Sequence, residues 1–204
     1  MHDNLFPPII HGLASPTTPP GWPITVAMFW EMVRHDILEE KDPVYVWRGH
    51  LARLPLPVPE HSCAVNSLYV HFTRLARDSP HSESRIPVNL TREDSVLIPD
   101  AAIVRGRMKD YSKIHPAPAD FLLVAEVIDL PHERLLAEVY AAERIPVYWE
   151  VNLARRRVTV FHEPEGSAYL ASRVFSPGDE VPVVLEGREV GRVPVADLFP
   201  RRVS

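Results

Sequence analysis

Two acidic residues stand where the sequence otherwise predicts buried strands. Asp100 lies in "LIPDAAIV" and Glu126 in "LLVAEVID", and every other residue from 121 to 128 is apolar. A charge in a strand covered on both faces is costly unless it is paired, hydrogen-bonded or bound to a metal. If the two strands are neighbours, both carboxylates converge on one point, where hard anionic oxygens suit Mg²⁺ or Mn²⁺. A metal held there could activate water and stabilise the charge that develops on a phosphate.

Each acid also has a simpler interpretation. Asp100 follows a proline that starts a strand, and Glu126 could form a buried ion pair with an arginine. His61, at the start of a predicted helix, is either structural or a residue that acts beside the acids. Cys63 and Trp149 are predicted to be core residues.

The composition limits the kind of protein this chain can form. With 204 residues, 46% of them hydrophobic, one sizeable core and a single domain over residues 24–204 are expected. Residues 1–23 hold six prolines and predict an extended arm, which could pack on a second subunit to give a homodimer. One cysteine excludes an internal disulfide framework. The N-terminus is unlike a signal peptide and no apolar run approaches the roughly 18 residues of a membrane span, so a soluble cytoplasmic protein without a membrane partner is expected.

Charge and motif content exclude several function classes. A net charge of −5 argues against a polyanion binder driven by overall charge, although local basic patches can still meet phosphate. The sequence has no Cys-x-x-Cys and no helical pair of histidines four residues apart, which argues against a structural zinc site. It also lacks the glycine-rich motifs of phosphate loops and dinucleotide folds and the Gly-x-Ser-x-Gly of serine hydrolases.

The elements that must position the acids follow from hydrophobic periodicity. Helices are predicted over 24–40, 61–78 and 131–144. Strands are predicted over 42–57, as two strands turning at Arg48-Gly49, and over 85–90, 95–106, 121–128, 145–152 and 155–163, with hairpin-like chain after them. The faces expected to be buried are Met28, Met32, Val33 and Ile37 in the first helix and Val65, Leu68, Tyr69, Phe72 and Leu75 in the second. This mixture predicts an α/β or α+β fold with a mixed central sheet flanked by helices.

Several segments, in order, resemble one known family. They are "IPDAAIV", "LLVAEVID", "VYAAERIPVYWEVN", "RRVTVF" and "GRVPVADLFP". Together they resemble the Uma-two family of restriction-endonuclease-like proteins, a branch of the PD-(D/E)xK nuclease superfamily, over roughly residues 24–200. The resemblance implies a restriction-endonuclease-like core that hydrolyses DNA phosphodiesters with Mg²⁺ or Mn²⁺. It places Asp100 and Glu126 in the positions of the metal-binding acids and His61 where the family commonly has a histidine.

The sequence departs from this family at its basic residue. The superfamily lysine two residues after the glutamate is Ile128 here, and the Uma-two lysine on the following helix, one turn before Tyr140, is Leu136. No lysine follows Lys113, and an early-strand acid of the family is Tyr45 here. Loss of a group that acts in the transition state weakens hydrolysis by orders of magnitude. Two hypotheses follow: a divergent, impaired metal-dependent endonuclease, or an inactive nuclease-fold protein that binds nucleic acid or another protein.

Residues after Glu126 could replace the missing lysine. Arg134 would have to reach back around the helix, and His132 could accept a proton. Asp129 could be an extra ligand or a helix cap. For Arg134 and His132 the simpler interpretation is a solvated helix face.

A basic loop between the two acidic strands is the candidate nucleic-acid contact. The segment 105–113 carries one tyrosine and four basic residues that could touch phosphates, namely Arg105, Arg107, Lys109 and Lys113. A second basic cluster is 155–157. A solvated charge run is the alternative for both.

Overall fold

A computed structural model describes residues 21–39, 41–54, 56–77, 79–128 and 133–200, except for the side chains of Glu133 and Arg134. The helices are α1 (Val26–Arg34), α2 (Pro59–Leu75) and α3 (Glu133–Ala142). The strands are β1 (Val44–Trp47), β2 (His50–Arg53), β3 (His81–Glu83), β4 (Val88–Leu90), β5 (Ser95–Leu97), β6 (Ala101–Val104), β7 (Phe121–Ile128), β8 (Val147–Asn152), β9 (Arg157–Glu165), β10 (Ala168–Phe175), β11 (Glu180–Leu185) and β12 (Arg188–Pro194). The predicted arm lies outside the described residues up to Pro20, so its packing on a second subunit stays a prediction.

The chain forms two compact units, and the smaller comprises the chain up to Leu56 together with Asn89–Leu97. Its sheet has the order β2-β1-β5-β4. The hairpin of β1 and β2 turns at Arg48 and Gly49, which have φ values of 44° and 77°, as the two-residue turn predicted from the sequence requires. Thr25 caps α1 by accepting the N–H of Met28. The α1 face that packs on this sheet is formed by Val26 and Phe29.

The larger unit is built on a six-stranded mixed sheet with the order β10-β9-β8-β7-β6-β3. The neighbours β7 and β8 are parallel, and every other pair in this sheet is antiparallel. The parallel pair is connected through α3, as in a βαβ unit. The mixed sheet with flanking helices confirms the predicted fold class.

The two helices of the larger unit cover opposite faces of this sheet. Tyr148 and Trp149 are consecutive in β8, so their side chains point to opposite faces. The Trp149 ring lies 5.4 Å from that of Phe72 in α2, whereas the Tyr148 ring lies 5.4 Å from that of Tyr140 in α3. Both β8 residues are fully buried, which confirms Trp149 as a core residue.

Helix faces differ from the sequence prediction in several places. α1 ends at Arg34 because Asp36 adopts a φ of 54°, and Met28 and Ile37 are exposed. In α2 the residues facing the sheet are Ala64, Leu68 and Phe72, four apart. Tyr69 lies outside this face, and Cys63 is exposed, so its assignment to the core was wrong.

The strand predicted over 95–106 is two strands in two different sheets. β5 ends at Leu97 and β6 starts at Ala101, with Pro99 between them. Proline has no N–H for the ladder, which explains the interruption. Strand β3 was missed because "HSE" is polar, yet His81 and Ser82 are buried. The hydroxyl groups of Ser82 and Thr73 are hydrogen-bonded at 2.7 Å, which satisfies part of this polarity.

Within the described residues, no helix is both long and apolar enough to cross a membrane.

Candidate functional site

Asp100, directly before β6, lies beside Glu126 of the neighbouring strand β7. Ala101 pairs with Ala125 in the antiparallel register of β6 and β7, so the next position places Asp100 opposite Glu126. Each carboxylate accepts a backbone hydrogen bond from the opposite strand segment: the Asp100 N–H donates to Glu126 Oε2 at 3.4 Å, and the Val127 N–H donates to Asp100 Oδ2 at 2.9 Å. The convergence predicted from the sequence is therefore present.

Tyr140 holds the second oxygen of Glu126. Its hydroxyl donates to Glu126 Oε1 at 2.5 Å, from a fully buried position in α3. Burial, and then the charge of Asp100, raise the pKa of Glu126 well above its usual range, although the Tyr140 hydrogen bond opposes this. Burial and the neighbouring Glu126 likewise raise the pKa of Tyr140, which keeps its hydroxyl protonated as a donor. Two carboxylates are thus held together without a described arginine partner, so the ion-pair interpretation of Glu126 finds no support within the described residues.

His61 lies against the acid pair, as the sequence allowed. Its Nε2 is 3.2 Å from Asp100 Oδ2, and its Nδ1 is buried without a hydrogen-bond partner in the described part of the chain. Burial lowers the pKa of His61, but the hydrogen bond and charge of Asp100 outweigh this, and the pKa is raised above its ordinary value. Asp100 therefore stabilises the protonated form of this imidazole.

The predicted basic loop is a turn that an ion pair and a hydrogen bond hold in place, and it does not include the acid pair. Arg105 forms an ion pair with Glu186 in the turn between β11 and β12. The side chains of Arg107, Lys109 and Lys113 are exposed. A 3₁₀ turn at Met108–Tyr111 shapes the loop, with the Arg107 N–H donating to the Asp110 carboxylate at 2.8 Å.

The positions proposed to replace the missing lysine lie largely outside the described part of the chain. Asp129 and His132 lie outside the described residues, and only the backbone of Arg134 is described, in the first turn of α3. Ile128 and Leu136 are half-buried apolar side chains. These roles for Asp129, His132 and Arg134 stay predictions.

The second basic cluster is tied to the C-terminal part of the chain. The Arg156 guanidinium donates to the carbonyl of Pro200 at 3.1 Å and stacks 5.1 Å from the centre of the Phe199 ring. This arrangement supports a packing role for Arg156.

Two buried polar residues near the site were missed from the sequence. Glu150 is 1% exposed and pairs in register with Glu126, so Asp100, directly before β6, lies in one row with Glu126 of β7 and Glu150 of β8. The signal that marked Glu126, one acid in an apolar strand, is also present in "VYWEVN". His81 donates through Nδ1 to the carbonyl of Gly106 at 2.9 Å and thereby anchors the basic turn.

The chemistry of these donors suits one class of metal. No group of three or more His, Cys, Asp or Glu side chains placed to hold a metal occurs within the described ranges, which argues against a closed zinc-type cage. Mg²⁺ is commonly bound by one or two carboxylates, with water and substrate phosphate completing its shell. Asp100 and Glu126 are such a pair, and their mutual repulsion would be relieved by a cation. The residues present therefore fit a hard divalent ion.

Comparison with known proteins places this geometry in context. The family model Uma2, described as "Putative restriction endonuclease", matches residues 30–196. A crystal structure from Anabaena variabilis, described as "a putative nuclease belonging to DUF820", is similar to the chain with a TM-score of 0.66 and 16% identity, covering 87% of this chain and 98% of that one. At that identity the likeness is one of fold. The curated proteins include no match.

Proposed function

Because the chain belongs to the Uma2 family of restriction-endonuclease-like proteins, we propose that it is a divalent-metal-dependent endonuclease that hydrolyses phosphodiesters in DNA. Such families usually act on nucleic acid with the help of a metal. The observation that carries the proposal is the acid pair, in which the Val127 N–H holds the Asp100 carboxylate and the Asp100 N–H holds the Glu126 carboxylate. We assign both residues as ligands of Mg²⁺ or Mn²⁺.

The reaction is a single displacement at phosphorus. The oxygen of water forms a bond to phosphorus as one phosphorus–oxygen ester bond breaks. One proton of that water ends on the leaving oxygen, and the other stays with the new phosphate monoester. The bound divalent ion would supply activation of the water and stabilisation of the charge on the phosphate.

The side chains of this chain would supply position and protons. Tyr140 orients the Glu126 carboxylate, and the Val127 N–H orients that of Asp100. His61 is the residue we assign to proton movement, because its Nε2 contacts Asp100 and its pKa is raised by that carboxylate against the effect of burial.

The exposed basic turn is the element we assign to the DNA backbone. Arg107, Lys109 and Lys113 are exposed there, follow the Asp100 strand in sequence and are available to phosphate. Arg105 is engaged by Glu186, so it is the weakest of the four predicted contacts.

A second candidate function is a nuclease-fold protein that binds nucleic acid or a protein without cutting. The specific observation in its favour is that Ile128 and Leu136, at the lysine positions of the superfamily and the family, are apolar and half-buried.

A nicking assay separates the two functions. Supercoiled plasmid is incubated with Mn²⁺ or Mg²⁺ and wild-type protein, Asp100→Ala or Glu126→Ala, with Asp197→Ala as the matched control. Asp197 is an exposed acid of the larger unit that pairs with His71. Metal-dependent nicking by wild type and control that is lost in both acid variants supports the endonuclease. Equal background nicking in all four proteins contradicts it and favours the binding module.

A further inference from the structure

A positive charge lies level with the acid row, at the edge of the sheet. Glu83 of β3 pairs with Ala102 of β6, so two steps further the register brings Arg85 level with Asp100. Since Asp100 faces Glu126 on the next strand, the row reads Arg85, Asp100, Glu126 and Glu150. Strand β3 is the edge strand of this sheet, so Arg85 sits at the open end of the row.

The backbone at Arg85 is fixed to the strand segment that carries Asp100. The Ser84 hydroxyl donates to the Asp100 carbonyl at 3.1 Å, and the Arg85 N–H donates to the Pro99 carbonyl at 3.2 Å. Arg85 has a φ of 59°, in the left-handed region that costs a side-chain-bearing residue free energy. Such conformations persist where the surrounding structure enforces them, and they cluster at functional sites.

The guanidinium of Arg85 is available to a ligand. Arg85 is exposed, and its side chain has no hydrogen bond or ion pair to another described residue. Arg105, the basic residue just after β6, is by contrast held by Glu186.

We propose that Arg85 is the cation that binds the nucleic-acid phosphate beside Asp100 and Glu126, in the role that the family gives to its lysine. The inference rests on the proposed nuclease function. A guanidinium contacts a phosphate through two parallel hydrogen bonds and remains charged at every working pH. Placed at the acid row, it stabilises negative charge that develops on the phosphate oxygens.

The test compares Arg85→Ala and Arg85→Lys with Arg74→Ala. Arg74 is an exposed arginine about 20 Å further along α2 than His61. Its substitution removes the same charge at a position far from the acids. We expect Arg85→Ala to lower the Mn²⁺-dependent nicking rate by about 100-fold. Arg85→Lys keeps most of the rate, and Arg74→Ala keeps all of it.

Binding measurements make the result independent of turnover. A short fluorescein-labelled DNA duplex is titrated in chelator at several salt concentrations. Arg85→Ala should lower the salt slope by about one unit, the signature of one lost phosphate contact, whereas Arg85→Lys preserves it. Calorimetric Mn²⁺ titration should show no loss of metal affinity, which a collapse of the site would cause. Arg85→Gln replaces the alanine variant if that variant does not fold.

The outcomes distinguish this inference from the function on which it rests. Wild-type protein without nicking would contradict the proposed function, and the duplex titration would still decide the role of Arg85. Arg85→Ala that matches Arg74→Ala in both nicking and salt slope overturns the inference alone.

Discussion

The anionic and cationic halves of the site are built in different ways. The carboxylates of Asp100 and Glu126 are fixed by strand register, by two backbone N–H groups and by the Tyr140 hydroxyl. The cationic half depends on one side chain, because Ile128 and Leu136 occupy the two lysine positions and Arg85 is the proposed replacement. A feature specified by several main-chain contacts is tied to the fold, whereas one specified by a single side chain depends on that residue alone. The contrast explains how a chain can keep the paired acids without the lysine of its family.

Among the substitutions that test this contrast, restoring the lysine should have the largest effect. Leu136 lies one turn before Tyr140, so the two residues share the α3 face whose tyrosine reaches Glu126. We expect Leu136→Lys to raise the Mn²⁺-dependent nicking rate of the Arg85→Ala variant by about 100-fold, since a single charge acting in the transition state is worth that much. The nicking assay on supercoiled plasmid measures it.

Leu135→Lys is the matched control for that gain. Leu135 is also half-buried in α3 but is rotated by about 100° around the helix, away from the Tyr140 face. An equal gain from both lysines would mean that added charge merely improves DNA binding, and the proposed asymmetry of the site would be wrong.

Removing the hydroxyl that orients Glu126 should have the next largest effect. Tyr140→Phe leaves Oε1 without its described donor, and residues that orient metal ligands typically contribute 10- to 100-fold in affinity, so we expect about a 10-fold weaker Mn²⁺ affinity. Tyr169→Phe is the control, because Tyr169 is a half-buried tyrosine of the same aromatic cluster whose hydroxyl donates to the Ile145 carbonyl. If calorimetry gives both variants the same Mn²⁺ affinity, Tyr140 does not orient a metal ligand.

The basic turn should show smaller, purely electrostatic effects. Lys109→Ala and Lys113→Ala should each weaken duplex binding in chelator by a few-fold and reduce the salt slope by about 0.9. Lys41→Ala serves as the comparison, because Lys41 is an exposed lysine of the smaller unit, paired with Glu39. Unchanged salt slopes in both turn variants would show that the turn faces solvent and does not contact DNA.

The smallest expected effect is on stability. Burial and Asp100 raise the pKa of Glu126, so the folded state binds that proton more tightly than the unfolded chain. The resulting stabilisation is present below the ordinary pKa of a glutamic acid and is lost as pH rises through the raised one. At neutral pH in chelator, Glu126→Gln should therefore melt about 2–4 °C above wild type, which corresponds to roughly 1 kcal/mol. If Glu126→Gln melts below wild type at neutral pH and above it in acid, folding lowers the pKa of Glu126 instead of raising it.

The sequence predicted those features that depend on local pattern. The lone acids in apolar strands identified Asp100 and Glu126, and the Arg48-Gly49 turn and the mixed sheet also followed from pattern. Polar residues whose role depends on the pairing of distant strands could not be predicted from the sequence. His81 lies in a strand too polar to be recognised, and Arg85 has a role only because β3 pairs with β6. The prediction of the buried helix faces was wrong at Met28 and Tyr69. Each is an apolar residue one position away from the buried face of its helix.

The most direct test of the central claim, that the acid pair holds a divalent ion, is calorimetric titration of Mn²⁺ into metal-free protein. Wild type should bind the ion, whereas Asp100→Ala and Glu126→Ala should lose that binding while keeping a cooperative melting transition. Wild-type binding that persists unchanged in both variants, or a wild type that binds no ion, would contradict the account.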